Sequence, residues 1–469
     1  MRIGTASIRN PKFAIRNAVE MIGHARLLDE LSRLVKRSRA DATTVCAEAS
    51  TRRISRFAYD AIHQDLIQEG LTVYVKVITN KRVGVALTDT LEREGLARCL
   101  NAALEIARHA PPSERLPALP DGYQHITTQD HASRTAKAPP HAFLHTLKRL
   151  FHLCQGVGAQ LAGSFAVGED ELAVVNSRGV ACYAASTVAG AKLVTMYQQL
   201  SGFASAIHRL LDEVNLERLL EHSLKQCLHR REPITLPTGT YEVILEPEAV
   251  AELIQWLGYI AFGAKSFQER TSCLAGRIGE QVMGRSLTIY DDGHDPEGLR
   301  MPFDYEGVPK QRVLLIERGK AAGIVYDTAY GSLYGHPSTG HASTPDDVDG
   351  PVPSHLFLAP GATKREELIR TCARGVLIPR FHYVSGLLNP REALMTGLTR
   401  EGAFLIEEGK LVSPITTMRF TQSLLEALHH VVGISKERQL IADPTQEGGC
   451  AVMPTLRLAK FRFTGRSED

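Results

Sequence analysis

The chain has 469 residues, of which 43% are hydrophobic and 23% are charged, and its 54 Lys and Arg nearly balance 52 Asp and Glu. This composition is typical of globular domains and excludes a disordered or fibrous chain. A net charge of +2 gives no electrostatic footprint for direct nucleic-acid binding. The longest apolar stretch is shorter than the ~20 residues that a membrane-spanning helix needs.

The region 1–110 is predicted to form an N-terminal α+β domain. Apolar residues at helical spacing predict two helices, and alternating β-branched residues predict three strands, the last two joined by a hairpin turn. The helices cover residues 17–36 and 91–109, and the strands cover 42–49, 71–79 and 82–87.

The region 111–235 is predicted to be a connector followed by a central α+β region. Six prolines between residues 110 and 140 interrupt regular structure. Beyond them we expect helices at 142–157 and 210–230, with a meander of strands over 159–193. Two prolines and a glycine within 233–239 mark the main domain boundary.

The region 236–469 is predicted to be β-rich. A strand at 240–245 leads into a helix whose first turn accepts Pro247 and which runs to about Gly263. Short apolar runs then alternate with Gly, Pro and Asp, at 286–290, 311–316, 322–326, 356–359, 403–406 and 411–415. The sequence therefore predicts an α+β fold, with an N-terminal α/β domain and a C-terminal domain of antiparallel strands with a few helices.

Two loop histidines, His336 and His341, are candidate metal ligands. Zinc needs three or four ligands, for which His355 and His382 are further candidates. A loop histidine is more often a hydrogen-bonded structural residue, and both interpretations stay open. The eight cysteines include no CxxC pair, which indicates buried thiols in a reducing cytoplasm.

A cation and two aromatic residues cluster beside an apolar strand in the sequence Arg380-Phe381-His382-Tyr383. Such a cluster suits an extended peptide or a carboxylate, because a guanidinium pairs with carboxylate oxygens through two parallel hydrogen bonds. The same pattern is equally compatible with packing in a sheet.

Several short motifs follow one another in the C-terminal half. They are Gly276-Arg277-Ile278-Gly279-Glu280, Pro302-Phe303-Asp304-Tyr305-Glu306-Gly307-Val308, Ser338-Thr339-Gly340-His341-Ala342 and Phe404-Leu405-Ile406-Glu407-Glu408-Gly409-Lys410. In this order they resemble the TldD/PmbA (TldE) family of metallopeptidase-related proteins, most clearly over residues 240–463. The N-terminal half fits the same family more loosely.

The resemblance implies a cytoplasmic dimer, often of a TldD with a TldE chain, that encloses a chamber for unfolded or modified peptides in extended form. The TldD-type chain carries His-Glu-x-x-x-His on a helix, together with a cysteine near its C-terminus. The two imidazoles and the thiolate hold zinc, and the Glu acts as general base on the bound water.

This chain departs from that zinc motif. The matching stretch is Pro247-Glu248-Ala249-Val250-Ala251-Glu252, in which both histidines are absent and Glu248 stands where the family has its catalytic base. Cys450 lies closer to the chain end than the family's zinc cysteine, and we interpret it as a packing residue. The chain thus resembles the PmbA/TldE type, and no metal is expected to bind it in the family manner.

The leading hypothesis is a non-zinc-binding subunit that pairs, as a homodimer or with a TldD-type chain, to process extended peptides. Glu248 is the candidate catalytic residue, and His341, Arg380 and Tyr383 are predicted to face the peptide chamber. One alternative is a metallopeptidase in its own right with relocated ligands, such as His336, His341 and an acidic residue. The other is a non-enzymatic peptide-binding or regulatory protein.

Overall fold

The computed structural model describes residues 21–113, 116, 119–121, 126–138, 143–228, 231–445 and 448–466. Residues 17–20 of the helix predicted at 17–36 lie outside this described part, as do several positions of the predicted connector. All eight cysteines are buried and unpaired, which confirms the prediction of buried thiols.

The N-terminal half is built around a seven-stranded sheet of the described residues. Its strands are β1 (Ala42–Ala58), β2 (Ala61–Thr79), β3 (Arg82–Thr88), β4 (Thr127–Asp130), β5 (Gln160–Asn176), β6 (Ala181–Tyr197) and β7 (Leu200–His208). The spatial order is β3-β2-β1-β5-β6 with antiparallel neighbours. Along the remaining edge of β6, β4 pairs parallel to its first half and β7 pairs antiparallel to its second half.

Helices cover one face of this sheet and leave the other to the C-terminal half. They are α1 (His24–Arg37), α2 (Arg93–His109), α3 (Ser133–Ala136), α4 (Leu144–Gly156) and α5 (Leu216–Cys227). Leu27 of α1 packs against Val45 and Ala47 of β1. Because side chains alternate across a strand, even-numbered residues of β1 face the opposite way, and Cys46 packs against Phe303.

The C-terminal half contains a thirteen-stranded sheet of the described residues. Its strands are β8 (Gly239–Leu245), β9 (Ile289–Asp291), β10 (Val313–Glu317), β11 (Lys320–Ala321), β12 (His355–Leu358), β13 (Arg374–Ile378), β14 (Arg380–Asn389), β15 (Leu394–Arg400), β16 (Phe404–Glu407), β17 (Lys410–Pro414), β18 (Met418–Ser423), β19 (Val431–Ile441) and β20 (Cys450–Arg466). The main path is β11-β10-β9-β12-β20-β8-β13-β16-β17, and a branch β14-β15-β18 joins it at β20. Strand β20 also pairs with β19, since its length of 17 residues accommodates several neighbours.

Five helices of the described residues accompany this sheet, and the longest lies in its core. They are α6 (Pro247–Ala261), α7 (Ala264–Gln268), α8 (Thr328–Tyr334), α9 (Arg365–Arg370) and α10 (Leu424–His429). Proline occupies the first turn of α6, as predicted, and apolar residues such as Val250, Ile254 and Leu257 are fully buried. No helix in the described part of the chain combines the length and the apolar character needed to cross a membrane.

The predicted α+β class, with a largely antiparallel β-rich C-terminal domain, is confirmed. The predicted boundary near residue 110 does not divide two sheets, because β1–β3 and β4–β7 share one sheet, whereas the boundary near 235 falls between the sheets. The strand predicted over 322–326 is wrong: strand pairing stops at Ala321, and only Val325 makes a single bridge, to Gly263.

Candidate functional site

A cavity of about 510 Å³ lies between the free face of the N-terminal sheet and loops of the C-terminal half. A volume of about 300–1,000 Å³ is typical of ligand sites. Its charged and imidazole side chains are Glu48, Arg52, Asp130, Asp170, Glu171, Arg209, His294, Arg300, His355 and Asp443. The concentration of ionisable groups from both halves of the chain makes this cavity the candidate functional site.

Arg52 is the most deeply buried cation of the cavity wall. It belongs to the even-numbered face of β1 and is only 4% exposed. Its Nη2 donates to Asp170 Oδ1 at 2.6 Å, and its Nη1 donates to the carbonyl oxygen of Glu169 at 3.0 Å, both on the neighbouring β5. A buried charge is tolerated when it is paired and hydrogen-bonded in this way.

Asp130, the last residue of β4, joins two more arginines of the wall. Its Oδ1 accepts a hydrogen bond from Nη1 of Arg209, and its Oδ2 lies 3.8 Å from Nε of Arg300. Arg209 follows β7, and Arg300 lies in the loop between β9 and β10. This contact therefore joins the N-terminal sheet to the C-terminal half.

Glu248, the predicted catalytic residue, lies at the start of α6, where the two halves of the chain meet. Its carboxylate accepts a hydrogen bond from the Ser205 hydroxyl on β7. Burial raises the pKa of Glu248, and the Ser205 hydrogen bond and the charges of Lys192 and Arg380 only partly oppose that shift. A carboxyl group of this kind holds its proton to higher pH than an ordinary glutamate and is a chemically competent proton carrier.

Charged side chains surround Glu248, both on the neighbouring strand β6 and one turn further along α6. Lys192, directly opposite Ser205 in the β6–β7 pairing, donates from Nζ to Asp443 Oδ2 at 2.8 Å. Asp443 also lines the cavity, so this cluster and the cavity adjoin each other. One turn further along α6, burial raises the pKa of Glu252, and the nearby Glu248 raises it further.

His341, predicted to face a peptide, lies in a buried network in the C-terminal half. It is 2% exposed, its Nε2 lies 2.8 Å from Asp291 Oδ1, and its Nδ1 lies 2.8 Å from the carbonyl oxygen of Thr339. Burial by itself would raise the pKa of Asp291, but Lys310 and His341 hold it below its usual value. His341 is thus engaged on both ring nitrogens and is not among the cavity-lining residues of the described chain.

His355 connects that buried network to the cavity. Its backbone N–H donates to Asp291 Oδ2 at 2.6 Å, and its Nδ1 lies 2.9 Å from the Ser354 hydroxyl. Burial, together with the neighbouring Lys310, lowers the pKa of His355 to about 3, so the ring is neutral at physiological pH. The sequence singled out His355 only as a metal ligand, whereas here it is a wall residue of the cavity.

Arg380 and Tyr383, the other two predicted peptide contacts, both lie on β14 but differ in solvent exposure. The Arg380 guanidinium stacks on the Phe203 ring at 4.1 Å and pairs with Glu401 at 2.5 Å. Arg380 therefore lies at the same junction as Glu248, whereas Tyr383 is 82% exposed on the outer surface, at a positive φ of 49°. Their predicted contact with a peptide stays a prediction.

The residues at the matching zinc position do not fit zinc. Pro247 offers no ligand atom, and within the described residues no group of three or more His, Cys, Asp or Glu is arranged to hold a metal ion. His336 is exposed and stacks on Tyr326 at 4.6 Å, away from the buried His341–Asp291 pair. Cys450 is buried, and its sulfur accepts a hydrogen bond from the Leu299 N–H. We therefore derive no step through a metal held by this chain.

Sequence reasoning missed the arginines and carboxylates of the cavity wall. Arg52 lies beyond the strand predicted at 42–49, and Asp130 lies within the predicted connector. A signal was present, since β1 carries Glu48 and Arg52 four residues apart on one face of the strand, and its other face is apolar at Val45, Ala47 and Ala49. Pairing of β1 with β5, which brings Asp170 beside Arg52, is not visible in the sequence alone.

Comparisons with known proteins agree with this fold. The family model described as the PmbA/TldA metallopeptidase C-terminal domain matches residues 238–465. A metalloprotease TldD homolog of Haemophilus influenzae is 27% identical over 225 residues, which are 47% of this chain and 46% of that protein. The metalloprotease PmbA of Escherichia coli O157:H7 is 24% identical over 411 residues, 83% of this chain and 85% of that protein. The chain thus aligns with less than half the length of the Haemophilus relative.

Solved structures extend the likeness to nearly the whole chain. TldE from Thermococcus kodakarensis superposes with a TM-score of 0.82 at 22% identity, covering 94% of this chain and 99% of that one. A putative modulator of a DNA gyrase from Thermotoga maritima gives a TM-score of 0.80 at 19% identity, covering 93% and 99%. At these identities the superpositions establish a shared fold. Residues 238–465 therefore match the PmbA/TldA metallopeptidase C-terminal domain, on a fold that nearly the whole chain shares with these solved structures.

Proposed function

We propose that this chain is the non-zinc-binding subunit that partners a TldD-type metallopeptidase in the proteolysis of unfolded or modified peptides. The observation that carries the proposal is the start of α6. There Pro247, which the resemblance aligns with a zinc-binding histidine, occupies the first turn of the helix, and Glu248 accepts a hydrogen bond from the Ser205 hydroxyl. In this proposal zinc belongs to the partner chain, and the pair works in the cytoplasm.

The contribution of this chain is a polar wall for an extended peptide. A peptide backbone presents N–H donors and C=O acceptors in alternation, and the cavity offers carboxylates, guanidinium groups and imidazoles to both. A cavity shared between the two halves of the chain holds such a segment without any chemistry of its own. The zinc of the partner chain would supply the chemistry of bond cleavage.

The test is to purify this chain alone and together with a TldD-type chain from the same organism. We expect near-zero zinc and no cleavage of an unfolded polypeptide for the chain alone, and a stable complex with cleavage activity for the pair. The control is a partner whose zinc-helix glutamate is replaced by glutamine, which should form the complex and lose the cleavage. Zinc is measured by elemental analysis and the complex by light scattering.

Two outcomes would contradict the proposal. About one zinc per chain in this protein alone, lost in His341→Ala together with cleavage, would establish a metallopeptidase with relocated ligands. Failure to bind any TldD-type chain, with no change in cleavage on mixing, would establish a peptide-binding protein that acts without a peptidase partner.

A further inference from the structure

Two arginines of the cavity wall share one carboxylate, and one of them has no hydrogen bond to it. Asp130 is hydrogen-bonded by Arg209, whereas the Arg300 Nε lies 3.8 Å from Oδ2, beyond hydrogen-bond distance. Arg300 is 44% exposed, lines the cavity, and makes no hydrogen bond within the described residues through its guanidinium. Its planar set of five N–H donors is therefore available to a ligand.

The carboxylates of the same wall are occupied by groups of the protein. Asp170 is paired with Arg52, and Asp443 is paired with Lys192. Glu171 accepts hydrogen bonds from the backbone N–H of Ile22, the backbone N–H of Gly23 and the Tyr183 hydroxyl, and Glu48 also interacts with a neighbour. These four carboxylates are thus already engaged within the protein, whereas the Arg300 guanidinium lies 3.8 Å from its nearest carboxylate oxygen.

Two further polar atoms of this wall are buried without a hydrogen bond in the described part of the chain. They are Nε of Arg52 and Oδ2 of Asp130, a donor and an acceptor. A buried polar atom left without a partner costs free energy, so such atoms mark a place that a polar ligand or water completes. A peptide amide supplies both a C=O for the donor and an N–H for the acceptor.

We propose that Arg300, together with Arg209, binds a carboxylate of the peptide that enters the cavity, with Asp130 holding both guanidinium groups in position. This proposal rests on the proposed function, because it names the substrate class of the same cavity. Arginine suits this role because its planar donors match the two oxygens of a carboxylate. The cavity volume of about 510 Å³ is that of a small-ligand site, which suits the end of a peptide or one acidic side chain with its neighbours.

A purely structural network is the competing explanation for this cluster. Arg209 alone already provides Asp130 with a hydrogen-bonded counter-ion, so the carboxylate does not need Arg300. Arg300 lies 3.8 Å from this already paired carboxylate, is 44% exposed and lines the cavity. The structural explanation predicts that removal of Arg300 changes stability and leaves peptide binding unchanged.

The experiment measures peptide binding to this chain alone by titration calorimetry. The probes are one N-acetylated pentapeptide of Gly, Ser and Ala with a C-terminal carboxylate, its C-terminal amide, and an amidated version with one internal glutamate. We expect the amide to bind about tenfold to a hundredfold more weakly than at least one of the two carboxylate peptides. Which of those two binds distinguishes a C-terminal carboxylate from an acidic side chain.

The variant arm uses Arg300→Gln with Arg374→Gln as the matched control. Arg374 also lies 3.8 Å from a carboxylate, that of Glu407, but at the exposed start of β13, where its side chain is 68% exposed. We expect Arg300→Gln to abolish the preference for the carboxylate peptide and Arg374→Gln to retain it. Thermal unfolding of both variants checks that they are folded, and the comparison of acid with amide on the wild-type chain needs no variant at all.

The results separate this inference from the proposed function. Equal binding of all three peptides, or a preference that survives Arg300→Gln, would overturn the carboxylate site. If no peptide binds while the pair with a TldD-type chain still cleaves its substrate, the carboxylate site is overturned and the proposed function stands. A carboxylate preference in a chain that binds no TldD-type partner would support the site, and the proposed function would fall.

Discussion

His355 is a buried imidazole whose environment admits only its neutral form. It lies beside the cation of Lys310, and burial lowers the pKa of His355 to about 3. Asp291, which accepts its backbone N–H, is also in contact with His341 at 2.8 Å and with Lys310 at 3.8 Å. Protonation of His355 would therefore place an additional positive charge in an already compensated network.

This residue makes stability depend on pH. In the unfolded chain the pKa of a histidine is near 6.5, whereas in the folded protein the pKa of His355 is about 3. Between these two pH values the unfolded state therefore binds a proton at this residue that the folded state does not bind. The stabilisation from a neutral His355 is present above pH 6.5 and is lost as the pH falls, by about 2 kcal/mol between pH 6.5 and 5. We expect His355→Gln to remove this part of the pH dependence, measured by urea unfolding at several pH values.

The control for His355 is His152→Gln, which replaces an exposed ring on α4. Its pH dependence of unfolding should follow that of the wild-type protein. A His355→Gln variant that loses stability on acidification as steeply as the wild type would show that another group is responsible.

At the scale of elements, α2 lies unusually close to β3 at Gly84. A Cβ at that position would lie 2.0 Å from the carbonyl oxygen of Ala103 and 2.6 Å from the backbone nitrogen of Ala107. Both are backbone atoms of α2, so no side-chain rotation relieves the contact. Glycine at this point of the hairpin is required by the helix that packs across it.

We therefore expect Gly84→Ala to lower the free energy of unfolding by about 1–3 kcal/mol, because α2 has to shift away from the sheet. The measurement is chemical denaturation. The matched control is Gly156→Ala at the end of α4, where nothing lies within 4 Å of the added methyl group. That control should leave stability unchanged or raise it slightly, since alanine favours a helix more than glycine does. Equal effects of the two substitutions would contradict the close packing of α2 on β3.

The same elements show how far sequence patterns predict this fold. Helices α2, α4 and α6 and strands β3 and β8 have regular apolar spacing, and the predictions agree with the structure to within a few residues. Strand β2 begins ten residues before its predicted start, because Ala61–Gly70 is mostly exposed and lacks apolar alternation. Backbone pairing with β1, which itself pairs with β5, forms that extension.

At the scale of the whole molecule, side-chain contacts link the two halves of the chain. The Lys192–Asp443 ion pair, the Ser205–Glu248 hydrogen bond and the Arg380–Phe203 stack all cross from the N-terminal sheet to the C-terminal half. Apolar contact adds to them where Phe303 packs against Cys46.

We therefore expect dialysis against a chelator to change the thermal midpoint by less than about 1 °C, because only a ligand of the folded state stabilises it. Differential scanning calorimetry before and after dialysis, with a zinc-dependent protein treated in parallel, provides the measurement. A fall of several degrees that zinc restores would mean that this chain holds a structural metal, since zinc ligation contributes directly to folding.

The sequence by itself determined the α+β class and the resemblance of the C-terminal half to its family; the boundary near residue 235 and the absence of the zinc-motif histidines at Pro247 and Glu252 stay predictions of the sequence. These properties follow from local periodicity and from residue identity at single positions. Only the tertiary structure decided that β1–β7 form one sheet, that His341 is buried against Asp291, and that the cavity wall brings Arg300 to Asp130. The physical reason is that strand pairing and charge pairing join residues that are far apart in the chain. A local sequence pattern does not specify which distant strand or side chain each residue contacts.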